Sequence, residues 1–143
     1  MAARDFFVDL LTSDLRPDEI LTSIEIQVPS DRTGACYLKF EHPASGYAVC
    51  GAAAVVSLGQ DGRCRGAVLS FNGVAATPVS VTGIGSALSG STLRDDDIER
   101  AVDDNLSVLD PMGDIYASGP YRVHLAHVYG KRALKTARDR ARR

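Results

Sequence analysis

The order of its hydrophobic periodicities constrains this chain more than any other feature: apolar residues recur at strand-like spacing up to residue 71 and at helix-like spacing from residue 81 onward. In residues 20–28, Ile24, Ile26 and Val28 alternate with Glu25 and Gln27 before Pro29 stops the run, which predicts a half-buried strand. Residues 35–41 predict a second strand, and the turn-forming Pro43, Ala44, Ser45 and Gly46 separate it from a third over 47–58. The third is long and mostly apolar, so cover on both of its faces is expected. Asp61-Gly62 carries the signal of a tight hairpin, which returns residues 67–71 antiparallel to the third strand.

Asn72-Gly73 and Thr77-Pro78 break this pattern, and three helical stretches follow. The first is short, over 81–88. The second places Ile98, Val102, Leu106 and Leu109 at steps of four, four and three, with Asp95, Asp96 and Asp97 in its first turn, where acids favour the positive helix end. The third runs over 118–138 with Tyr121, Leu125, Tyr129, Ala133 and Ala137 at steps of four and Leu134 beside them. That stripe is expected to bury against the sheet, with small Gly130, Ala133 and Ala137 admitting close backbone approach. Strands first and helices second predict an α+β fold: an antiparallel four-stranded sheet, three strands at the least, with three helices packed on one face as a two-layer sandwich. At 143 residues, one core is expected.

Charge is distributed unevenly. Residues 1–130 hold 9 Lys/Arg and 17 Asp/Glu, whereas residues 131–143 hold 7 and 1. Cations at a helix C-terminus complement its dipole, and no aromatic residue interleaves the basic end to stack on bases, so a helix-end role is expected and nucleic-acid binding is not. No run approaches the roughly 20 apolar residues of a bilayer span, and Met1-Ala2-Ala3-Arg4-Asp5 lacks the apolar stretch of a signal peptide, so no membrane contact and a cytoplasmic location are expected. Cys36, Cys50 and Cys64 form no Cys-x-x-Cys pair and read as reduced thiols packed in strands.

Several constellations carry chemistry in other proteins and fail here on spacing. Gly83 and Gly85 begin a dinucleotide fingerprint, but Leu88 stands where its third glycine belongs, and Pro78 interrupts the strand that should feed the turn. His124 and His127 lie at i and i+3 on the last helix without an acidic or cysteine ligand at helical spacing, short of the three protein ligands of a catalytic zinc. Ser45, His42 and Asp61 are triad residue types with no nucleophile elbow. The run Asp95, Asp96 and Asp97 is accounted for by the helix start. Lys39 stands on the face opposite Leu38 and Phe40, where its ammonium either snorkels to solvent or faces an anionic or electron-rich cofactor.

Four landmarks occur in order: Leu15-Arg16-Pro17-Asp18-Glu19-Ile20-Leu21, Tyr37-Leu38-Lys39-Phe40, Gly73-Val74-Ala75-Ala76-Thr77-Pro78-Val79, and Tyr121-Arg122 followed by Lys131-Arg132-Ala133-Leu134. Together they resemble the C-terminal domain of the FAD-binding (medium) subunit of molybdenum hydroxylases of the carbon monoxide dehydrogenase and xanthine dehydrogenase type, over about residues 5–137. His42-Pro43-Ala44-Ser45-Gly46-Tyr47-Ala48-Val49 most resembles the carbon monoxide dehydrogenase branch.

The resemblance implies a small antiparallel sheet with helices on one side. It also implies a role for the parent assembly in which FAD passes electrons from a molybdenum centre, through iron–sulfur clusters, to a final acceptor. It assigns residues 1–17 to an opening segment that ends a linker from a preceding FAD-binding domain, and residues 18–143 to the C-terminal domain. The expected partners are that N-terminal FAD-binding domain, the iron–sulfur subunit and the molybdenum subunit. The glycine-rich loops that hold the FAD pyrophosphate belong to the preceding domains, so this chain's share is to shield one side of the isoalloxazine ring. Leu10, Leu11, Thr12 and Lys39 are the flavin-adjacent candidates, Leu10 and Leu11 standing where the family commonly carries an aromatic residue. No catalytic residue and no metal ligand is assigned, and the chain alone is expected to be inactive. Two rival readings stand beside this one: a non-catalytic protein-interaction module, and a small-ligand or flavin binder completed by homodimerisation.

Overall fold

The computed structural model describes residues 1–29 and 31–143. A short helix α1 (Ala3–Phe6) leads into a ribbon of β1 (Phe7–Asp9) and β2 (Thr12–Ser13). The main sheet follows with β3 (Thr33–Glu41), β4 (Ala48–Leu58), β5 (Cys64–Asn72) and β6 (Val79–Ser80), antiparallel throughout and in sequence order. Helices α2 (Ile84–Leu88), α3 (Asp95–Asn105) and α4 (Gly119–Ala141) complete the chain, with a 3₁₀ turn over Leu106–Val108.

The hairpins form where the turn chemistry dictates. Gly62 takes φ +77 in the β4–β5 turn, where its N–H donates to the Gly59 carbonyl at 3.0 Å, and Gly46 takes φ +70 in the β3–β4 loop. Strand register assigns the faces: Phe40, Leu38 and Cys36 pair with Cys50, Ala52 and Ala54, and the latter two lie opposite Phe71 and Leu69 of β5. That face is buried beneath α4, which lies over β3 and β4, with α2 over β5 and α3 packed against both α2 and α4. Its centre is Phe71, Leu69 and Val56 from the sheet, Ile84 and Leu88 from α2, Ile98 and Val102 from α3, and Leu134 from α4. Small residues set the helix-to-sheet distance: a Cβ on Gly130 would stand 3.0 Å from the Phe71 ring, and one on Gly34 would strike the Ala137 carbonyl.

The expected α+β sandwich with helices on one face is what forms. Two details differ. No strand forms over residues 20–28; the fourth strand of the sheet is the short β6, which pairs Ser70 with Ser80 and Phe71 with Val79. The alternation of residues 20–28 is genuine, but these residues pair with nothing in the described sheet and their side chains face water. The long apolar strand β4 is also covered on one face only. Ala53 and Val55, with Val68 of β5 and Tyr37 of β3, lie on the helix-free face and are exposed, because all three longer elements that follow the sheet pack on the other side.

The basic end is absorbed by the fold. Arg138 donates to the Leu93 carbonyl at 3.0 Å and to Asp95 at 2.6 Å, Arg142 reaches the Thr92 carbonyl and Arg140 the Ala35 carbonyl. Lys135 bridges Asp95 and Glu99, and Lys131 pairs with Asp103. The acidic start of α3 and the basic end of α4 thus form one ladder between two antiparallel helices. The three cysteines are free thiols in β3, β4 and β5, and burial pushes the Cys50 thiol up to about 11, against the pull of nearby Arg122.

Candidate functional site

At the end of the sheet where β5 stops, the β1–β2 ribbon stands against the loop after Asn72. Between them lies a cleft of about 350 Å³, walled by Phe6, Phe7, Leu10, Leu11, Thr12 and Ser13 on one side and by Gly73, Ala75, Ala76, Thr77, Pro78 and Met112 on the other. The loop is built to approach closely. Gly73 takes φ +77, and a Cβ there would collide with the Ala48 backbone. Its carbonyl accepts from Arg122 Nη1 at 2.6 Å, the same nitrogen donates to the Val49 carbonyl at 2.8 Å, and Arg122 Nη2 holds Asp114 Oδ2 at 2.6 Å. Arg122 is 5 % exposed, the one charged side chain among the buried residues described. Asp114 completes the clamp: backbone N–H groups of Ala117 and Tyr116 hold its carboxyl below the usual carboxylate range, with Arg122 adding to the shift.

The ribbon presents an unusual tip. Leu11 is 100 % exposed and takes φ +53, a left-handed conformation that costs a branched side chain ~1–2 kcal/mol. Around the corner, on the helix-free face, Tyr37 Oη donates to Asn72 Oδ1 at 3.2 Å and the pair folds over Gly51, where a Cβ would meet both side chains. Asn72 also lines the cleft.

Of the four residues singled out in the sequence, the structure brings Leu10, Leu11 and Thr12 together in the cleft wall. Lys39 lies outside it. In register Lys39 pairs with Gly51, which pairs with Asn72, so its Cα stands roughly two strand spacings, or ~10 Å, from the cleft edge. Its ammonium donates to the Gly46 carbonyl at 2.8 Å and pairs with Glu41 at 3.1 Å. Sequence reasoning passed over Arg122 as a site element: it was visible only as part of a family landmark, since its partners are 8 to 73 residues away.

The other candidates resolve into structural contacts. His127 bonds Asp103 at 2.7 Å, while His124 stacks on Tyr121, so the two histidines serve separate neighbours. His42 Nδ1 accepts from the Ala44 and Ser45 amides, closing the β3–β4 loop, and its ring packs edge-on to Tyr116 with centroids 4.2 Å apart. Among the described residues, no three His, Cys, Asp or Glu side chains gather in reach of one metal ion. No helix there is long and apolar enough to cross a membrane.

A four-stranded antiparallel sheet backed by helices, with a loop-and-ribbon cleft at one end, defines the class: an α+β domain. The comparisons make the class specific. The CO dehydrogenase flavoprotein C-terminal domain family matches residues 35–137, and the chain belongs to that family. It is 31% identical over 142 residues to the carbon monoxide dehydrogenase medium chain of Afipia carboxidovorans, covering 99% of this chain and 49% of that protein. It is 27% identical to the 6-hydroxypseudooxynicotine dehydrogenase complex subunit alpha of Paenarthrobacter nicotinovorans, covering 97% and 47%. Among solved structures, the reconstituted CO dehydrogenase from Oligotropha carboxidovorans superposes with a TM-score of 0.87 at 31% identity, over 98% of this chain and 49% of that one. Quinoline 2-oxidoreductase from Pseudomonas putida 86 follows with a TM-score of 0.86 at 25% identity, over 96% and 47%. The chain spans about half the length of the relatives it matches.

Proposed function

We propose that this chain serves as the C-terminal domain of the FAD-binding subunit of a carbon monoxide dehydrogenase-like molybdenum hydroxylase, covering one side of the flavin and contacting partner subunits during electron transfer. The observation that carries the reading is the convergence, in one cleft, of Leu10, Leu11 and Thr12 with the Gly73–Pro78 loop, in a chain of this family. The volume falls in the range of about 300–1,000 Å³ that small-molecule sites occupy.

The cleft wall fits part of FAD and not all of it. Phe7, Leu10, Leu11, Pro78 and Met112 suit the face of a planar ring system, whereas the one charged residue in the lining, Asp9, is an acid and repels a pyrophosphate. The phosphate grip therefore belongs to the half of the subunit that precedes this region in the relatives. FAD, when bound, supplies reversible acceptance and release of electrons. The chain's own residues exclude water from the ring, through Leu10 and Leu11, and offer polar edges through Thr12 and Asn72. Arg122 acts one step removed, holding the Gly73 carbonyl and with it the loop. Lys39, one strand beyond Gly51, is held by the Gly46 carbonyl and neutralised by Glu41 outside the cleft, so the flavin-adjacent role rests on Leu10, Leu11 and Thr12. The iron–sulfur and molybdenum subunits of such a complex are the remaining partners.

Titration of the chain with FAD, followed by flavin fluorescence, tests this. The expected result is no stoichiometric binding at micromolar concentrations. Tight one-to-one binding, or NADH oxidation by the chain alone, overturns the assignment of the phosphate grip to another domain.

A further inference from the structure

The cleft has few polar side chains, and what they have left to offer a ligand is specific. Asn72 is the last residue of β5 and lines the cleft. Its Oδ1 accepts from Tyr37 Oη at 3.2 Å, and both side chains lie against Gly51, where a Cβ would strike each of them. The glycine makes room for the pair, and the tyrosine hydroxyl decides which end of the amide is spent. Among the described residues no protein group accepts from Asn72 Nδ2, so both of its donors remain open.

Thr12, on the ribbon wall, is complementary. Its Oγ1 donates to the Leu10 carbonyl at 3.1 Å, which uses its one proton and leaves lone pairs that can only accept. The other polar groups of the lining select less. Asp9 Oδ1 already accepts from the Leu10 amide, and the hydroxyls of Ser13 and Thr77 turn to donate or accept as a ligand requires.

We infer that the cleft reads the imide edge of a planar ring, the O=C–N–H unit. Asn72 Nδ2 donates to the ring carbonyl, and Thr12 Oγ1 accepts from the neighbouring ring N–H. Tyr37 touches no ligand and is a positioning residue: by holding Oδ1 it keeps the donors of Asn72 on the ligand's side. The inference rests on the flavin reading and deepens it, since the pyrimidine end of an isoalloxazine carries such an edge. A donor left without an acceptor in a water-poor cleft is costly, so the pair selects against rings that lack this edge. Adenine, the other ring of FAD, pairs an acceptor at N1 with a donor at N6 and is the competing ligand of the test.

The test titrates the full 143-residue chain with lumiflavin, the ring without ribityl chain or phosphate, and follows the Asn72 side-chain amide and the Leu10 and Leu11 methyls by NMR. Binding is expected to be weak, because the phosphate grip lies elsewhere, and to move all of these resonances together. N3-methyl-lumiflavin, whose edge has no N–H, is expected to bind about 5-fold more weakly, and Thr12→Val is expected to erase that difference. Asn72→Asp keeps an acceptor for Tyr37 but puts a second acceptor in place of Nδ2. It is expected to bind lumiflavin at least about 10-fold more weakly with the melting temperature unchanged. Tyr37→Phe is expected to shift the Asn72 amide before any ligand is added and to weaken binding about 3-fold; an unmoved amide and affinity overturn the positioning role. Methyl shifts without a response at the Asn72 amide, full binding by Asn72→Asp, or no penalty for N3-methylation overturn the edge assignment and leave the flavin wall intact. Adenosine bound in preference to lumiflavin overturns the edge assignment as well. Lumiflavin that moves no resonance of the cleft overturns both readings.

Discussion

Arg122 joins three parts of the chain that are distant in sequence: the start of β4 through Val49, the cleft loop through Gly73 and the turn before α4 through Asp114. Removing its guanidinium takes a donor from the buried Val49 carbonyl and from the part-buried Gly73 carbonyl, so Arg122→Met is expected to cost about 3 kcal/mol in urea unfolding. Asp114→Asn keeps an oxygen for the Ala117 and Tyr116 amides and acts at a half-exposed position, so its expected cost is about 1 kcal/mol. Equal losses in the two variants would show that the carboxylate, and not the carbonyl contacts, makes the clamp. Leu11 behaves in the opposite sense. Glycine adopts φ +53 without strain and removes a solvated apolar side chain, so Leu11→Gly is expected to leave the chain as stable or up to about 1 kcal/mol more stable. The same variant in an assembled subunit is expected to lose FAD more readily, read by gel filtration of the flavin with the protein. Unchanged retention would remove Leu11 from the flavin wall.

At the scale of elements, α4 is held by small residues beneath it and by ion pairs along its flank. Gly130 and Gly34 both mark close approach, but their obstacles differ. A Cβ on Gly130 meets the tip of the Phe71 ring, which can tilt, and alanine gains helix propensity, so Gly130→Ala is expected to change stability by less than about 1 kcal/mol. A Cβ on Gly34 meets the α4 backbone at Ala137 and Ala141, which cannot yield, so Gly34→Ala is expected to cost about 3 kcal/mol. Thermal unfolding of both variants checks the ordering. The flanking ladder carries a pH signature. Arg138, then Lys135, holds the Asp95 carboxyl below its ordinary value, Lys131 does the same for Asp103, and Glu99 with Asp95 holds the Lys135 amine above its own. The lowered acids contribute stability that is present above the reference value of 3.8 and lost as pH falls through their folded values. The raised lysine contributes stability present below 10.5 and lost as pH rises through its folded value. The ladder's contribution to melting temperature is thus expected to be flat between these limits and to fall outside them, with added salt flattening both limbs because the groups are solvent-facing, while the raised Cys50 and Cys64 thiols add a loss of stability that begins above 9.0. An acid limb unchanged in Asp95→Asn/Asp103→Asn would assign it to other carboxylates.

At the scale of the molecule, the sandwich was legible because periodicity and turn chemistry agreed over β3, β4, β5, α3 and α4, each of which meets its core partners within this chain. The cleft was legible in part. Leu10, Leu11 and Thr12 were reached through family resemblance, not through any periodicity of their own. Arg122 was missed because a lone arginine on an amphipathic helix gives no sign of bonding carbonyls 49 and 73 residues away. Residues 20–28 and the helix-free face of β4 misled for one shared reason: their apolar patterns describe surfaces that this chain does not itself cover.

That reason yields a further expectation about how the molecule comes apart. Residues 20–28 touch little in the described chain, and the β1–β2 ribbon contributes side chains that are mostly exposed, whereas β3 to α4 hold the whole buried cluster. Deleting residues 1–29 should therefore forfeit about 1 kcal/mol or less, equivalent to a fall of a few degrees in melting temperature for a domain of this size. The unfolding transition should stay single and cooperative, because the core that makes it so is untouched. Native-state exchange of the full chain should report the same division: amides before residue 30 open without global unfolding, while those of β4, paired on both sides and roofed by α4, require it. A drop of more than about ten degrees on deletion, or protection before residue 30 equal to that of β4, would mean that the opening segment packs on the domain in solution.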